Sequence, residues 1–98
     1  MPAYVIVDID VTDPEGYEEY KRLAPPTIRL YAGRYLARGG QAETLEGDWT
    51  PGRLVILEFP DRKHARRWLE SSEYGPARSQ RHRTARTRMV VVDGVVPS

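Results

Sequence analysis

The chain contains no cysteine, which excludes disulfides, thiolate metal centres and a cysteine nucleophile. Imidazole is almost as scarce. His64 and His82 are the only histidines, and they do not fall at a metal-ligand spacing. No zinc or haem site is expected, nor any other metal or cofactor. No apolar run approaches the roughly 20 residues of a membrane-spanning helix, so no membrane partner is expected. The phosphate-binding signatures GxxxxGKS/T and GxGxxG are both missing, and Gly39-Gly40 reads as a turn or bulge. A strand pattern is under way by Ala3, leaving no room for a basic and then apolar leader. A cytoplasmic location is the expectation that follows.

What is present describes an ordinary globular domain. Its 98 residues, 40% hydrophobic and 30% charged, fit one domain spanning 1–98. A chain of this size buries roughly two-thirds of its unfolded surface, so a partner subunit would add usefully to a modest core. The net charge of +1 conceals an uneven distribution, with the basic excess after residue 60. Arg62, Lys63, Arg66 and Arg67 fall on the solvent side of an expected helix, and the later arginines lack interleaved aromatics for base stacking. A solvated face is the better reading, and no nucleic-acid partner is expected.

The stretch Tyr35–Pro60 organises the remainder as two strands joined by a long hairpin excursion. Val55, Leu57 and Phe59 alternate with Leu54, Ile56 and Glu58, which is strand periodicity. Ala3–Val11 is a further strand with one wholly apolar face. Asp13 and Pro14 are placed as N-cap and first residue of a helix carrying Tyr17, Tyr20, Leu23 and Ala24 inward. Pro25-Pro26 predicts a kink or a fresh start, and Gly33 a helix end. Asp61 caps a second helix with Ala65, Trp68 and Leu69 inward and His64 outward. Residues 73–83 allow a short further helix, and Thr87–Val95 reads as the last strand.

The order β-α-β-β-α-β is ferredoxin-like, an α+β fold with both helices on one face of a four-stranded antiparallel sheet. The opposite face is expected to carry Tyr4, Ile6, Asp8, Arg38, Leu54, Ile56 and Glu58. It is too apolar for water and too polar for a dry core. Two such sheets packed face to face resolve the conflict, which predicts a homodimer with a cleft where the polar side chains converge.

With RGG at 38–40, EGDW at 46–49, LEFP at 57–60 and SSEY at 71–74, the sequence resembles the DUF1330 family over nearly its whole length. That resemblance implies the dimeric α/β-barrel superfamily of ferredoxin-like proteins. The superfamily includes cofactor-free monooxygenases, isomerases, dehydratases, haem-dependent enzymes and simple ligand-binding modules, so it implies an architecture and a cleft rather than a reaction.

Two side chains lead the candidate chemistry. Arg38 suits bidentate binding of an anionic substrate, and Glu58, desolvated, suits proton abstraction beside a carbonyl. The alternative is a structural ion pair between them. His82 is a second candidate acid or base bordering the cleft. Tyr4 and Asp8 on the mixed face, Trp49 in the excursion and Tyr74 are the remaining candidate ligand contacts. For both the structural role is the better reading, Trp49 as interface cover and Tyr74 as a packed tyrosine with a wet tip. Three functions stay open: a cofactor-independent proton-transfer enzyme of isomerase, cyclase or dehydratase type acting on a small oxygenated metabolite, a non-catalytic small-ligand or stress-associated module, and a cofactor-free oxygenase.

Overall fold

Alternating apolar side chains make β1 (Ala3–Val11) bury Ala3, Val5, Val7 and Ile9 on one side, and β3 (Arg53–Phe59) bury Val55, Leu57 and Phe59. The computed structural model describes residues 1–96, so the last two residues of the expected 1–98 domain lie outside it. The two strands pair antiparallel from Ala3 opposite Phe59 to Ile9 opposite Arg53. β2 (Arg34–Arg38) and β4 (Ala85–Asp93) complete the sheet in the order β2-β3-β1-β4, with every pairing antiparallel. Three helices, α1 (Pro14–Leu30), α2 (Arg62–Glu70) and α3 (Gly75–Thr84), join it to give the expected ferredoxin-like α+β fold.

Asp13 caps α1, its Oδ1 accepting from the Gly16 amide at 3.2 Å, with Pro14 at the first helical position. The helix does not restart at Pro25-Pro26. Both prolines lie inside a single α1. Pro25 has no N–H to offer the Lys21 carbonyl four residues back. Nη2 of Arg38 donates to that oxygen instead, at 3.2 Å. The helix end also differs from expectation. It is Ala32, at φ 63°, that takes the left-handed conformation. Gly33 is needed for space, since a Cβ there would lie 2.6 Å from Phe59 Cε1 and 2.9 Å from Ile28 Cγ2.

Asp61 caps α2 as expected, accepting from the His64 amide at 2.8 Å. β4 starts two residues earlier than the sequence suggests, because α3 passes straight into it. The Thr84 carbonyl accepts from the amides of Thr12 and Asp13 at 2.8 and 3.0 Å, which pins this corner, and Ala85 pairs with Val11. At its far end the Gly94 amide donates to the Pro2 carbonyl at 2.7 Å, closing the ladder after Asp93.

The core lies between the helices and one face of the sheet. Trp68 at its centre is 1% exposed, with its ring centroid 4.3 Å from Tyr74 and 5.5 Å from Phe59. Its indole N–H donates to Thr27 Oγ1 at 3.1 Å, tying α2 to α1. Among the described residues no helix covers the other sheet face. Val90 there is 60% exposed and Val92 49%, beside the half-buried Tyr4, Ile6, Leu54 and Ile56.

Candidate functional site

The position of Arg38 depends on a bulge in β2. Arg34 lies opposite Glu58 and Tyr35 opposite Leu57, but Ala37 lies opposite Ile56 and Arg38 opposite Val55. One extra residue, Leu36, is thus absorbed between Tyr35 and Ala37, and the facing parity reverses beyond it. Arg38 shares the helix-covered side with Tyr35 and Val55, its guanidinium 4.5 Å from the Tyr35 ring centroid. Glu58 points to the opposite face and pairs with Arg34 at 3.0 Å. The expected convergence of Arg38 and Glu58 in one cavity does not occur, whether as substrate holder with base or as a buried ion pair.

Arg38 instead stands at the edge of a narrow cavity between α1 and the sheet. Its volume is about 20 Å³, room for about one water. Tyr17, Tyr20, Tyr35, Arg53, Trp68 and Met89 contribute to its wall. Three of its lining side chains are cationic (Lys21, Arg38 and Arg53), and none is a carboxylate. Lys21 is held by Glu18 at 2.9 Å, leaving the two guanidinium groups to set the field. Arg53 has the facing parity of Val55, Leu57 and Phe59 and so enters the helix side. Its Nε is buried with no hydrogen-bond partner among the described residues. Its guanidinium lies 5.7 Å from the Tyr17 ring centroid and packs onto Gly39. Gly39 is at φ 70°, where a Cβ would be strained and would collide with that guanidinium. The glycine is therefore needed both for the turn and for the space beside Arg53.

Behind the cavity runs a chain of hydroxyls ending on a buried cation. The Tyr20 and Tyr74 hydroxyls are 2.7 Å apart, and Arg81 Nε donates to the Tyr74 oxygen at 3.3 Å. Arg81 is only 5% exposed, and its Nη1 also donates to Thr87 Oγ1. Burial, then the neighbouring Tyr74, pushes the Tyr20 phenol far above its ordinary range. Burial likewise raises Tyr17 and Tyr35, against the opposing pull of Arg53 and Arg38 respectively. These phenols stay protonated and offer O–H donors and flat aromatic walls.

The other candidate residues divide between three places. Tyr74 is fully buried in the hydroxyl chain, so its tip is not wet. Tyr4, Asp8, Trp49 and Glu58 lie on the open sheet face or above it. Of these, Asp8 and Trp49 are brought together, the indole N–H donating to Asp8 Oδ2 at 3.0 Å. The Gly52 amide and Arg88 donate to the same carboxylate, at 2.9 and 2.8 Å. These three contacts, the indole first, hold the Asp8 carboxyl below its usual value. They fasten the excursion that leads into β3 across the sheet. His82 is exposed on α3 and is absent from the cavity wall. Sequence reasoning overlooked Arg53 as a site residue, although its parity with Val55 was the signal that places it in the cavity.

A family profile described as a domain of unknown function, DUF1330, matches residues 2–95. The chain belongs to this family. No curated protein matches the sequence of this DUF1330 member. Among solved structures it is similar to a protein of unknown function from Rhodopseudomonas palustris, with a TM-score of 0.75 at 18% identity, covering 98% of this chain and 84% of that one. HapK from Hahella chejuensis aligns with a TM-score of 0.64 at 12% identity, over 98% of this chain and 95% of that one. SnoaB, a cofactor-independent oxygenase from Streptomyces nogalater, aligns with a TM-score of 0.58 at 13% identity, over the same shares of the two chains. At these identities the likeness is one of fold. Among the described residues no helix is long and apolar enough to cross a membrane, and no group of acidic or histidine side chains could hold a metal ion.

Proposed function

We propose that this DUF1330 protein binds the oxyanion group of a small, planar, oxygenated ligand in the cavity between α1 and the sheet, and that it works as a homodimer joined through the open sheet face. The observation that carries the first part is Arg53. A buried polar N–H without an acceptor costs about 1–3 kcal/mol, and more when charged. A carboxylate or enolate oxygen in the cavity would recover that cost. Arg38 adds a second charge at the mouth, while Tyr17, Tyr20 and Tyr35 supply neutral donors and aromatic faces. This arrangement favours the deprotonated form of a bound keto or phenolic substrate, which is the electrostatic half of a cofactor-independent proton transfer. Glu58 and His82 lie outside the cavity, so the proton itself would pass to solvent or through a tyrosine hydroxyl. The fold likeness to SnoaB supports a second reading, a cofactor-free oxygenase, which needs the same bound anion.

The homodimer rests on the exposed Val90 and Val92 beside Tyr4, Ile6, Leu54 and Ile56. Soluble monomers rarely present an apolar patch of that kind. Light scattering at micromolar concentration should give about twice the 11.2 kDa chain mass. A clean monomer would remove the dimer from the account.

The ligand reading is tested by amide chemical-shift mapping with benzoate and its neutral isostere benzamide. Benzoate should move the amides of Tyr17, Tyr20, Arg38 and Arg53–Leu57, and benzamide at the same concentration should leave them in place. Equal responses to the two, or responses centred on Ile6, Ile56 and Glu58, would sink it.

A further inference from the structure

A cavity of about 20 Å³ holds no metabolite unaided, so the space around it decides what the ligand looks like. One neighbour qualifies. Between α2 and the helix-side face of β4 lies an open groove of about 220 Å³. Its walls are Val5, Ala65, Leu69 and Val91, with Trp68 and Met89 at its inner end and Arg66 beside them. Trp68 and Met89 are also walls of the cationic cavity, so these two side chains are all the two spaces share. The groove exists because β4 is an edge strand and α2 is only nine residues long. Val91, although on the helix side opposite Val5, remains 38% exposed.

The two parts of that partition differ in stiffness. Trp68 is clamped between Phe59 and Tyr74 and tied by its indole N–H to Thr27. Met89 is half-buried on the edge strand and unbranched, and among the described residues its side chain makes no hydrogen bond that would fix it. Met89 is therefore the part of the partition free to change rotamer, whereas the indole cannot yield without breaking the core.

From this we infer that the groove is the second half of the ligand site, and that the ligand class is amphiphilic: an oxyanion head at Arg38 and Arg53, and an apolar extension of several carbons lying past Met89 between α2 and β4. The inference rests on the anion-binding reading proposed above and adds the tail to it. Size supports it, since 220 Å³ accepts an alkyl extension of several carbons for which the inner cavity has no room. So does chemistry. Apart from Arg66, whose charge can stay in water while its stem flanks the slot, every lining side chain named here is apolar.

The test is a comparison of benzoate with 4-pentylbenzoate by isothermal titration, on the full chain and on two variants. On the unaltered protein the pentyl compound should bind at least about tenfold tighter, since each buried methylene adds severalfold. Val91→Glu places a charge in the groove wall at a partly exposed site that does not line the inner cavity. It should erase that gain and leave benzoate affinity unchanged. Met89→Phe, which stiffens and fills the partition, should also erase the gain, read as the ratio of the two affinities because Met89 lines the inner cavity as well. If benzoate binds but the pentyl group brings no gain, or if the gain survives both substitutions, the tail subsite is wrong while the anion site stands. If benzoate itself does not bind, the anion site fails and the two-part ligand fails with it.

Discussion

Trp68→Ala should lower unfolding free energy by about 3–5 kcal/mol, the range for truncating a fully buried large aromatic. The loss has three parts. A ring 4.3 Å from Tyr74 and 5.5 Å from Phe59 leaves a void that neither neighbour can fill without breaking its own packing. Thr27 loses the indole N–H that links α1 and α2. The indole half of the wall between the inner cavity and the outer groove also disappears, leaving Met89 alone there. For a domain of this length the melting temperature should fall by at least about 12 °C. Arg67→Ala, one position away and exposed, should stay within about 0.5 kcal/mol of the unaltered protein. His64 would be a poorer control, because its Nδ1 lies 2.7 Å from the Asp61 carboxylate that caps α2. Equal losses for Trp68→Ala and Arg67→Ala would mean that α2 presents a different face to the sheet.

The helix spacing of Ala65 and Trp68 was readable in the sequence, as were the alternation in β1 and β3 and the order of elements. Each is a local pattern that a single periodicity determines. What escaped depends on contacts between distant segments. The bulge at Leu36 has no signature inside Arg34–Arg38, since it is defined only by the register against β3. That one residue moves Arg38 from the face of Glu58 to the face of Tyr35, and with it the whole candidate site. Pro25 looked like an interruption because the donor that replaces its N–H, Arg38, is thirteen residues further on. The Tyr20–Tyr74–Arg81 chain joins α1, the turn before α3 and α3 itself, at separations no motif captures. Arg53 is a different case. Its parity was visible, but a charged residue at the start of a strand reads as its solvated end, and only the structure shows its Nε enclosed and without a partner.

On the proposed reading, ligand binding is built around Arg53 on the helix side, and not around Glu58 on the open face. One titration of benzoate against the unaltered protein, Arg53→Met and Glu58→Gln tests it most directly. Methionine keeps much of the arginine stem's apolar bulk while removing the guanidinium and its enclosed Nε–H. Losing one charge-assisted hydrogen bond, worth about 1.5–3 kcal/mol, should weaken binding roughly 10- to 100-fold. The same variant should melt no lower than the parent, because an unpartnered buried N–H has been removed with the charge. Glu58→Gln breaks only a partly exposed pair with Arg34, so its affinity should match the parent within about twofold. Parent-like binding by Arg53→Met, or a loss confined to Glu58→Gln, would contradict the account and return the site to the open face of the sheet.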